Sequence, residues 1–361
     1  MALLLLPLLL QAFGTHFVRT ADTCLLYVLL ALGMNVVVGY AGLLDLGYVA
    51  FYAVGAYLFA LLASPHLGDN FSAIAALFPA GLHSPWWITL ALAAVLAAFF
   101  GTLLGIPTLK LRGDYLAIVT LGFGEIVRIL IINLGHPVNI TDGAKGLGLI
   151  DSVRIFDVDL GRTWHVGSYH LASVTLYYYL FLALVVLAAT LCLRLQNSRI
   201  GRAWMAIRDD EVAAEAMGIN TRNLKLLAFA IGASFGGVAG AMFATFQGFI
   251  SPEAFTLQES VMIVAMVVFG GLGHVPGVIL GAMLLTAFPE MLRYLVGPLQ
   301  AMTDGRLDAG ILRQLLIALA MIVTMLLRPR GLWPAPEHGE SLHSDAQGTA
   351  PSSNRAPRAD A

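Results

Sequence analysis

RIGRAWMAIRDDEVAAEAMG, residues Arg199 to Gly218, holds the densest group of charges in the chain and lies between two apolar runs, Leu171 to Leu193 and Leu224 to Phe249. Each run is long enough to cross a bilayer, which needs about 20 apolar residues as a helix. A charged stretch of helix formers held between two such runs is a water-side loop of a membrane protein, and its arginines place it on the cytoplasmic side. Asp209 or Asp210 can cap a short helix within it, and Gly218 can supply the left-handed residue that ends one. Val212, Ala213, Ala216 and Met217 then share one face, with Glu211 and Glu215 on another. A short helix with one small apolar face suits a shallow groove in a partner. The alternative is a helix packed on the chain's own membrane part.

Composition agrees with this reading. The 361 residues are 58% hydrophobic and 12% charged, where soluble domains carry about 25% charged residues. The mean hydropathy is +0.81. A formal net charge of -2 gives no reason to expect nucleic acid as a partner. Cys24 and Cys192 both fall inside apolar runs far apart in the chain, which argues against a disulfide framework. The nine histidines are scattered, with no HExxH or CxxC spacing, so no metal site is expected. No nucleophile stands beside a base, and GxxxxGK[ST] is absent. The chain is therefore not expected to be an enzyme or to bind ATP through such a loop.

Apolar runs extend over Asp22 to Tyr40, Leu46 to Ala63, Trp86 to Leu104, Tyr115 to Leu134 and Leu171 to Leu193. Beyond the charged loop come Leu224 to Phe249, Leu257 to Phe269, Val275 to Val296 and Ile311 to Leu327. Met1 to Phe13 is Leu-rich without a basic leader, and reads as a short helix, a re-entrant segment or an uncleaved anchor. The fold class expected is an all-α polytopic membrane protein of about 8–10 transmembrane helices, some short or broken. Lys110 and Arg112, the loop of about 194–223, and Arg328 with Arg330 carry the Lys and Arg of the short loops, which places both termini in the cytoplasm. Gly135 to His170 then lies outside. The membrane domain is expected over 1–333. Residues 334–361, rich in Pro, Ser and Ala, are expected to form a disordered cytoplasmic tail.

Gly232, Gly236 and Gly240 recur every four residues, as do Gly101 with Gly105 and Gly277 with Gly281. Such stripes let helix backbones approach closely. GGLGHVPG, Gly270 to Gly277, cannot continue a helix. It is either a tight cytoplasmic turn or a break at membrane depth. Asp45 in GYAGLLDLG, a lone carboxylate between two spans, raises the same question. If Asp114 caps its helix, Glu125 lies roughly 16 Å along the axis, near mid-depth. Arg128 is then on the same face, within pairing reach. The pair is a candidate gate or pathway lining, or a structural lock between helices. Glu290 and Arg293 repeat the spacing nearer an outer edge, and Glu259 lies early in its span.

Several blocks, in order, resemble the permease subunits of branched-chain amino-acid ABC importers, the LivM type more than its LivH-type partner. They are LGMNVVVGYAGLLDLGYVAFYAVGAYL (Leu32 to Leu58), LRGDYLAIVTLGFGEIVRIL (Leu111 to Leu130), GRAWMAIRDDEVAAEAMGI (Gly201 to Ile219), QGFISPEAFTLQES (Gln247 to Ser260), FGGLG (Phe269 to Gly273) and RPRGLWP (Arg328 to Pro334). The resemblance covers roughly Leu25 to Pro334. It implies a multi-pass subunit of the bacterial inner membrane that works with a second, LivH-like permease subunit, two ATPase subunits and a periplasmic substrate-binding protein. ATP and Mg would be used by the partner ATPases, with no cofactor bound directly. In such permeases a Glu-Ala-Ala-x-x-x-Gly pattern docks into the ATPase. Here Ala213, Ala214 and Gly218 are in register, while Val212 holds the Glu position and Glu211 precedes it. The resemblance makes Arg202, Arg208, Asp209, Glu211, Ala213, Ala214 and Gly218 the candidate ATPase-coupling residues. Arg202 and Arg208 would face acidic groups of the partner or lipid headgroups. ITDGAKGLGLI (Ile140 to Ile150) stands where related chains often carry TGGPNGI, which leaves urea or short amides as alternative substrates. The reading from another class is an ion-coupled secondary transporter. Asp45, Glu125 and Glu259 would be its cation sites, and Asp45, Glu125, Arg128 and Glu259 are the pathway or gating candidates on the importer reading.

Overall fold

A computed structural model describes residues 6–7, 9–11, 14–77, 82–109, 111, 113–155, 158–166 and 169–302, with 315, 318–319, 322–323, 326–328 and 331–333. The expected turn at Lys110 and Arg112, the side chain of Arg293, Arg330 and the tail 334–361 lie outside the described residues, as does much of 1–13 and of Ile311 to Leu327.

The described residues are mostly helical, and seven helices among them are long and apolar enough to cross a membrane. The first, α1 (Thr15–Met34), runs on into a π-helical turn, Asn35–Tyr40. A loop then leads to α2 (Val49–Leu62), which at 14 residues is about 21 Å long, short of the ~30 Å hydrocarbon core. Two short helices, α3 (His66–Asn70) and α4 (Ser72–Leu77), precede α5 (Trp86–Thr108) and α6 (Asp114–Asn133). Next come α7 (Ser173–Gln196), α8 (Arg199–Asp209), α9 (Glu211–Ala216), α10 (Thr221–Gln247), α11 (Leu257–Gly270) and α12 (Val275–Met302). Seven long helices and the short α2 fit the expected class of broken and continuous spans.

Burial sorts these helices. The α1 span with its π turn is the most enclosed, and α2 buries Phe51, Phe59 and most of its other side chains. By contrast α5 and α6 turn Trp87, Val95, Phe99, Tyr115, Ile118 and Ile126 outward. An apolar surface of this kind suits lipid or another membrane helix. α10 threads the middle. A Cβ added to Gly240 would lie 2.0 Å from the Tyr52 carbonyl oxygen of α2, and one added to Gly237 would lie 2.5 Å from the Ala93 carbonyl oxygen of α5. The glycine stripe is thus a packing surface used on both sides. Cys24 and Cys192 are free and buried.

The GGLGHVPG stretch resolves into a tight turn. α11 ends at Gly270, α12 starts at Val275, and the Leu332 and Trp333 amides donate to the Phe269 and Gly270 carbonyls at 2.9 and 3.1 Å. Asp114 is the first residue of α6 rather than its cap, which is Gly113 at φ 57°. The apolar run taken to begin at Leu46 becomes helical only at Val49, because Gly47 is pressed on α6. A Cβ there would lie 2.0 Å from the Thr120 carbonyl oxygen.

At the bundle end away from α8 and α9, the segment after α6 folds over the helix ends. It carries two antiparallel hairpins, β1 (Arg154–Ile155) with β2 (Val158–Asp159) and β3 (Trp164–Val166) with β4 (Tyr169–Leu171). The Asp151 amide donates to the Ala63 carbonyl at 2.7 Å, and the Thr245 hydroxyl donates to the Asp151 carbonyl at 3.0 Å. Asp159 closes the first hairpin. Partial burial works to raise its pKa, but hydrogen bonds from Ser152 and the Gly161 amide, with the charges of Arg154 and Arg162, outweigh that and hold it below the ordinary carboxylate value.

Candidate functional site

The charged stretch folds as a small helical hairpin, α8 and α9, between the ends of α7 and α10. Ser198 starts it, its hydroxyl accepting from the Gly201 amide at 3.1 Å. The corner is tight: a Cβ on Gly201 would lie 2.2 Å from the Leu195 carbonyl oxygen. α8 is amphipathic, and it buries Gly201, Trp204 and Ile207. Trp204 is fully buried, and its indole Nε1 donates to the Leu224 carbonyl at 2.8 Å. That contact nails α8 to the first turn of α10.

Of the two candidate caps, Asp210 does the work. Its carboxylate accepts from the amides of Val212 and Ala213 at 2.9 and 3.1 Å, while Asp209 is the exposed last residue of α8. At the other end Gly218 adopts φ 84°. The Gly218 amide bonds the Glu215 carbonyl at 2.9 Å and the Ile219 amide bonds the Ala214 carbonyl at 3.1 Å, the paired pattern that closes a helix through a left-handed glycine.

The candidate coupling residues divide by direction. Ala214 is buried against the bundle, and Glu211 Oε1 lies 2.6 Å from Lys225 Nζ. Lys225, the second residue of the apolar run from Leu224, is itself buried. Arg202 donates to the Asn197 carbonyl at 3.1 Å, and Arg208 Nη1 donates inward to the Gly39 carbonyl at 2.5 Å. Both residues are exposed, and each guanidinium is tethered to a carbonyl of its own chain. Outward on α9, beside the exposed Glu215, stand Val212 (61% exposed), Ala213, Ala216, Met217 (83% exposed) and Gly218. A cavity of about 350 Å³ opens beside this face, between Arg208, Asp210, Glu211 and Lys225 on one side and Leu43, Leu44 and Leu116 on the other.

The four pathway candidates have separate partners. Asp45 is fully buried in the loop before α2, where Oδ1 accepts from the Gly47 amide at 2.8 Å and Oδ2 has no hydrogen-bond partner among the described residues. Glu125 and Arg128 form the expected pair, Nε to Oε2 at 3.0 Å, on a half-buried part of α6. Glu259 accepts from the Tyr27 hydroxyl of α1 at 2.8 Å. Glu290 lies 2.7 Å from His16 Nε2. Sequence reasoning missed Asp22, taken as the start of an apolar run. It lies inside α1, fully buried, and among the described residues neither carboxylate oxygen has a hydrogen-bond partner. Among the described residues no group of three or more His, Cys, Asp or Glu side chains is placed to hold a metal ion.

The Glu125–Arg128 pair yields a direct test. A lone charge at mid-depth costs about 2.5–3.5 kcal/mol on insertion scales. Either single substitution, Glu125→Gln or Arg128→Gln, is therefore expected to lower the melting temperature more than the double substitution does. Singles as stable as the double would show that the two charges do not support one another. Uptake measured on the double variant then reports any pathway role separately from folding.

Seven membrane-length helices among the described residues, α1 the most enclosed of them, with an exposed apolar face on a hairpin at one end, define a multi-pass membrane protein. The chain belongs to the family described as branched-chain amino acid transport system / permease component, whose model matches residues 17–325. Among curated proteins it is 41% identical over 329 residues to the high-affinity branched-chain amino acid transport system permease protein LivM of Escherichia coli (strain K12), covering 88% of this chain and 70% of the relative. It is 28% identical over 336 residues to a probable branched-chain amino acid transport permease protein LivM of Methanocaldococcus jannaschii, covering 86% and 90%. A LivH permease protein of Salmonella typhimurium is 25% identical over 320 residues, covering 86% and 92%. No solved structure matches the chain.

Proposed function

We propose that the chain is the pathway-forming, non-ATP-binding subunit of an ATP-driven importer for branched-chain amino acids, in the inner membrane of a bacterium. The observation that carries this reading is the hairpin. A family member presents Val212, Ala213, Ala216 and Met217 to water on a helix capped at both ends, and exposed apolar side chains on a short rigid helix call for a groove in a partner. That partner is one of two ATPase subunits, which hydrolyse ATP with Mg. A LivH-like second permease subunit completes the pathway, and a periplasmic binding protein delivers the amino acid. On this reading the 194–223 region is cytoplasmic, 1–333 is the permease domain, and both termini face the cytoplasm.

The test is reconstitution. The chain alone in proteoliposomes is expected to accumulate no leucine. The full set of two permeases, two ATPases and binding protein is expected to accumulate it only with ATP inside. Uptake by the chain alone, driven by an ion gradient, would overturn the importer reading. Uptake of urea or short amides in preference to leucine by the full set would move the substrate assignment and leave the mechanism standing.

A further inference from the structure

Arg208 sits at the second-to-last position of α8, but it does not serve α8. Its guanidinium crosses to the end of α1, where Nη1 donates to the Gly39 carbonyl at 2.5 Å. Gly39 belongs to the π-helical turn Asn35–Tyr40. Such turns widen a helix, leave regular backbone partners displaced and recur at functional positions. The Arg208 stem is held as well, since a Cβ on Gly42 would lie 2.8 Å from Arg208 Cγ.

A third element meets the other two here. The Gly273 amide, in the turn between α11 and α12, donates to Asn35 Oδ1 at 2.9 Å. A Cβ on Gly39 would lie 2.7 Å from the Gly273 nitrogen, and a Cβ on Gly273 would lie 3.2 Å from Arg208 Nη1. Gln196, at the end of α7, donates to the Gly273 carbonyl at 3.4 Å. The hairpin's links through Trp204 and Glu211 run to α10. Arg208 runs instead to α1, the most enclosed span. A hydrogen bond from a guanidinium is charge-assisted, and stronger than one between neutral groups. Displacement of α8 therefore moves the Gly39 carbonyl, and with it the π turn and the α11–α12 turn packed on it.

We propose that Arg208 is the positioning residue that passes movement of the α8–α9 hairpin to α1 and the α11–α12 turn, so that docking and coupling are carried by different side chains. This rests on the reading of the hairpin as an ATPase dock. The docking face is Val212, Ala213, Ala216 and Met217, while the Arg208 guanidinium is engaged with the Gly39 carbonyl of the π turn.

The experiment compares wild type, Arg208→Ala and Arg208→Lys in the full transporter, co-expressed with its partners and reconstituted with the binding protein. Three quantities are read: ATPase subunits co-purified per permease, ATP hydrolysed, and leucine taken up per ATP. Arg208→Ala is expected to retain assembly and hydrolysis within twofold of wild type while leucine per ATP falls at least tenfold. Arg208→Lys, which keeps a cationic donor on a shorter stem, is expected to recover most of that loss. An unchanged leucine-to-ATP ratio in Arg208→Ala overturns the proposal. So does an Arg208→Ala chain that no longer folds or assembles, because that outcome makes Arg208 a support of the hairpin's shape. A wild-type chain that captures no ATPase overturns the docking reading itself, and this is seen before any variant is compared.

Discussion

Ala213→Trp is expected to strip the ATPase subunits from the purified transporter while leaving the permease folded. Ala213 is exposed at the first turn of α9, beside Val212 and one turn from Met217. An indole placed on this exposed position would stand in the way of a partner that closes on the face. Shape complementarity at the centre of an interface matches that of protein interiors, so a Trp in place of a methyl group cannot be absorbed without separating the two surfaces. Loss of about 1.4 kcal/mol weakens binding tenfold, and a clash of this size exceeds it. Co-purified ATPase per permease is the measurement, with at least a tenfold drop expected. Ala214→Trp is the contrasting variant. Ala214 is buried, so its replacement is expected to disrupt the hairpin and lower the melting temperature as well. If Ala213→Trp retains its ATPase and its uptake, the outward face of α9 is not the dock.

Gly240→Val is expected to prevent folding of the membrane domain. A Cβ at Gly240 would stand 2.0 Å from the Tyr52 carbonyl oxygen and 2.8 Å from the Ala56 nitrogen. Both obstacles are backbone of α2, which cannot swing aside as a side chain does. Overpacking a core ordinarily costs about 1–3 kcal/mol, and two helices pressed backbone to backbone exceed that range. The check is the yield of monodisperse protein and its melting temperature in detergent. Gly122, with nothing within 4 Å of an added Cβ, is the control. Gly122→Ala is expected to be neutral or slightly stabilising, since Ala is favoured over Gly in a helix by up to about 1 kcal/mol. Equal melting temperatures for Gly240→Val and wild type would mean that α2 and α10 do not touch as described.

Sequence periodicity and length made the long spans legible, because an apolar run of twenty residues has few alternatives in a bilayer. The limits of α9 were legible too, since a capping aspartate and a left-handed glycine have local causes. The directions of charged side chains were not. Lys225 stands at the start of an apolar run that gives no sign of its partner, but α10 begins at Thr221 and Glu211 lies across from it, which holds the ammonium inside. Arg208 reads as a surface charge, and only the π turn that brings the Gly39 carbonyl beneath α8 explains its inward course. Asp22 looks like the water edge of an apolar run. It is interior because α1 starts about two turns earlier, with His16 and Arg19 making the polar contacts at that end. A pattern along one segment cannot register a partner that another segment supplies.

The burial of both native cysteines has a practical side. Cys24 and Cys192 are enclosed between helices, and a thiol without access to reagent is a poor nucleophile. The unmodified chain should therefore be nearly silent to water-soluble maleimides. A reporter thiol introduced by Met217→Cys would be read against a dark background with no prior cysteine removal. Its labelling rate with and without the ATPase would follow the closing of the α9 face in the assembled transporter.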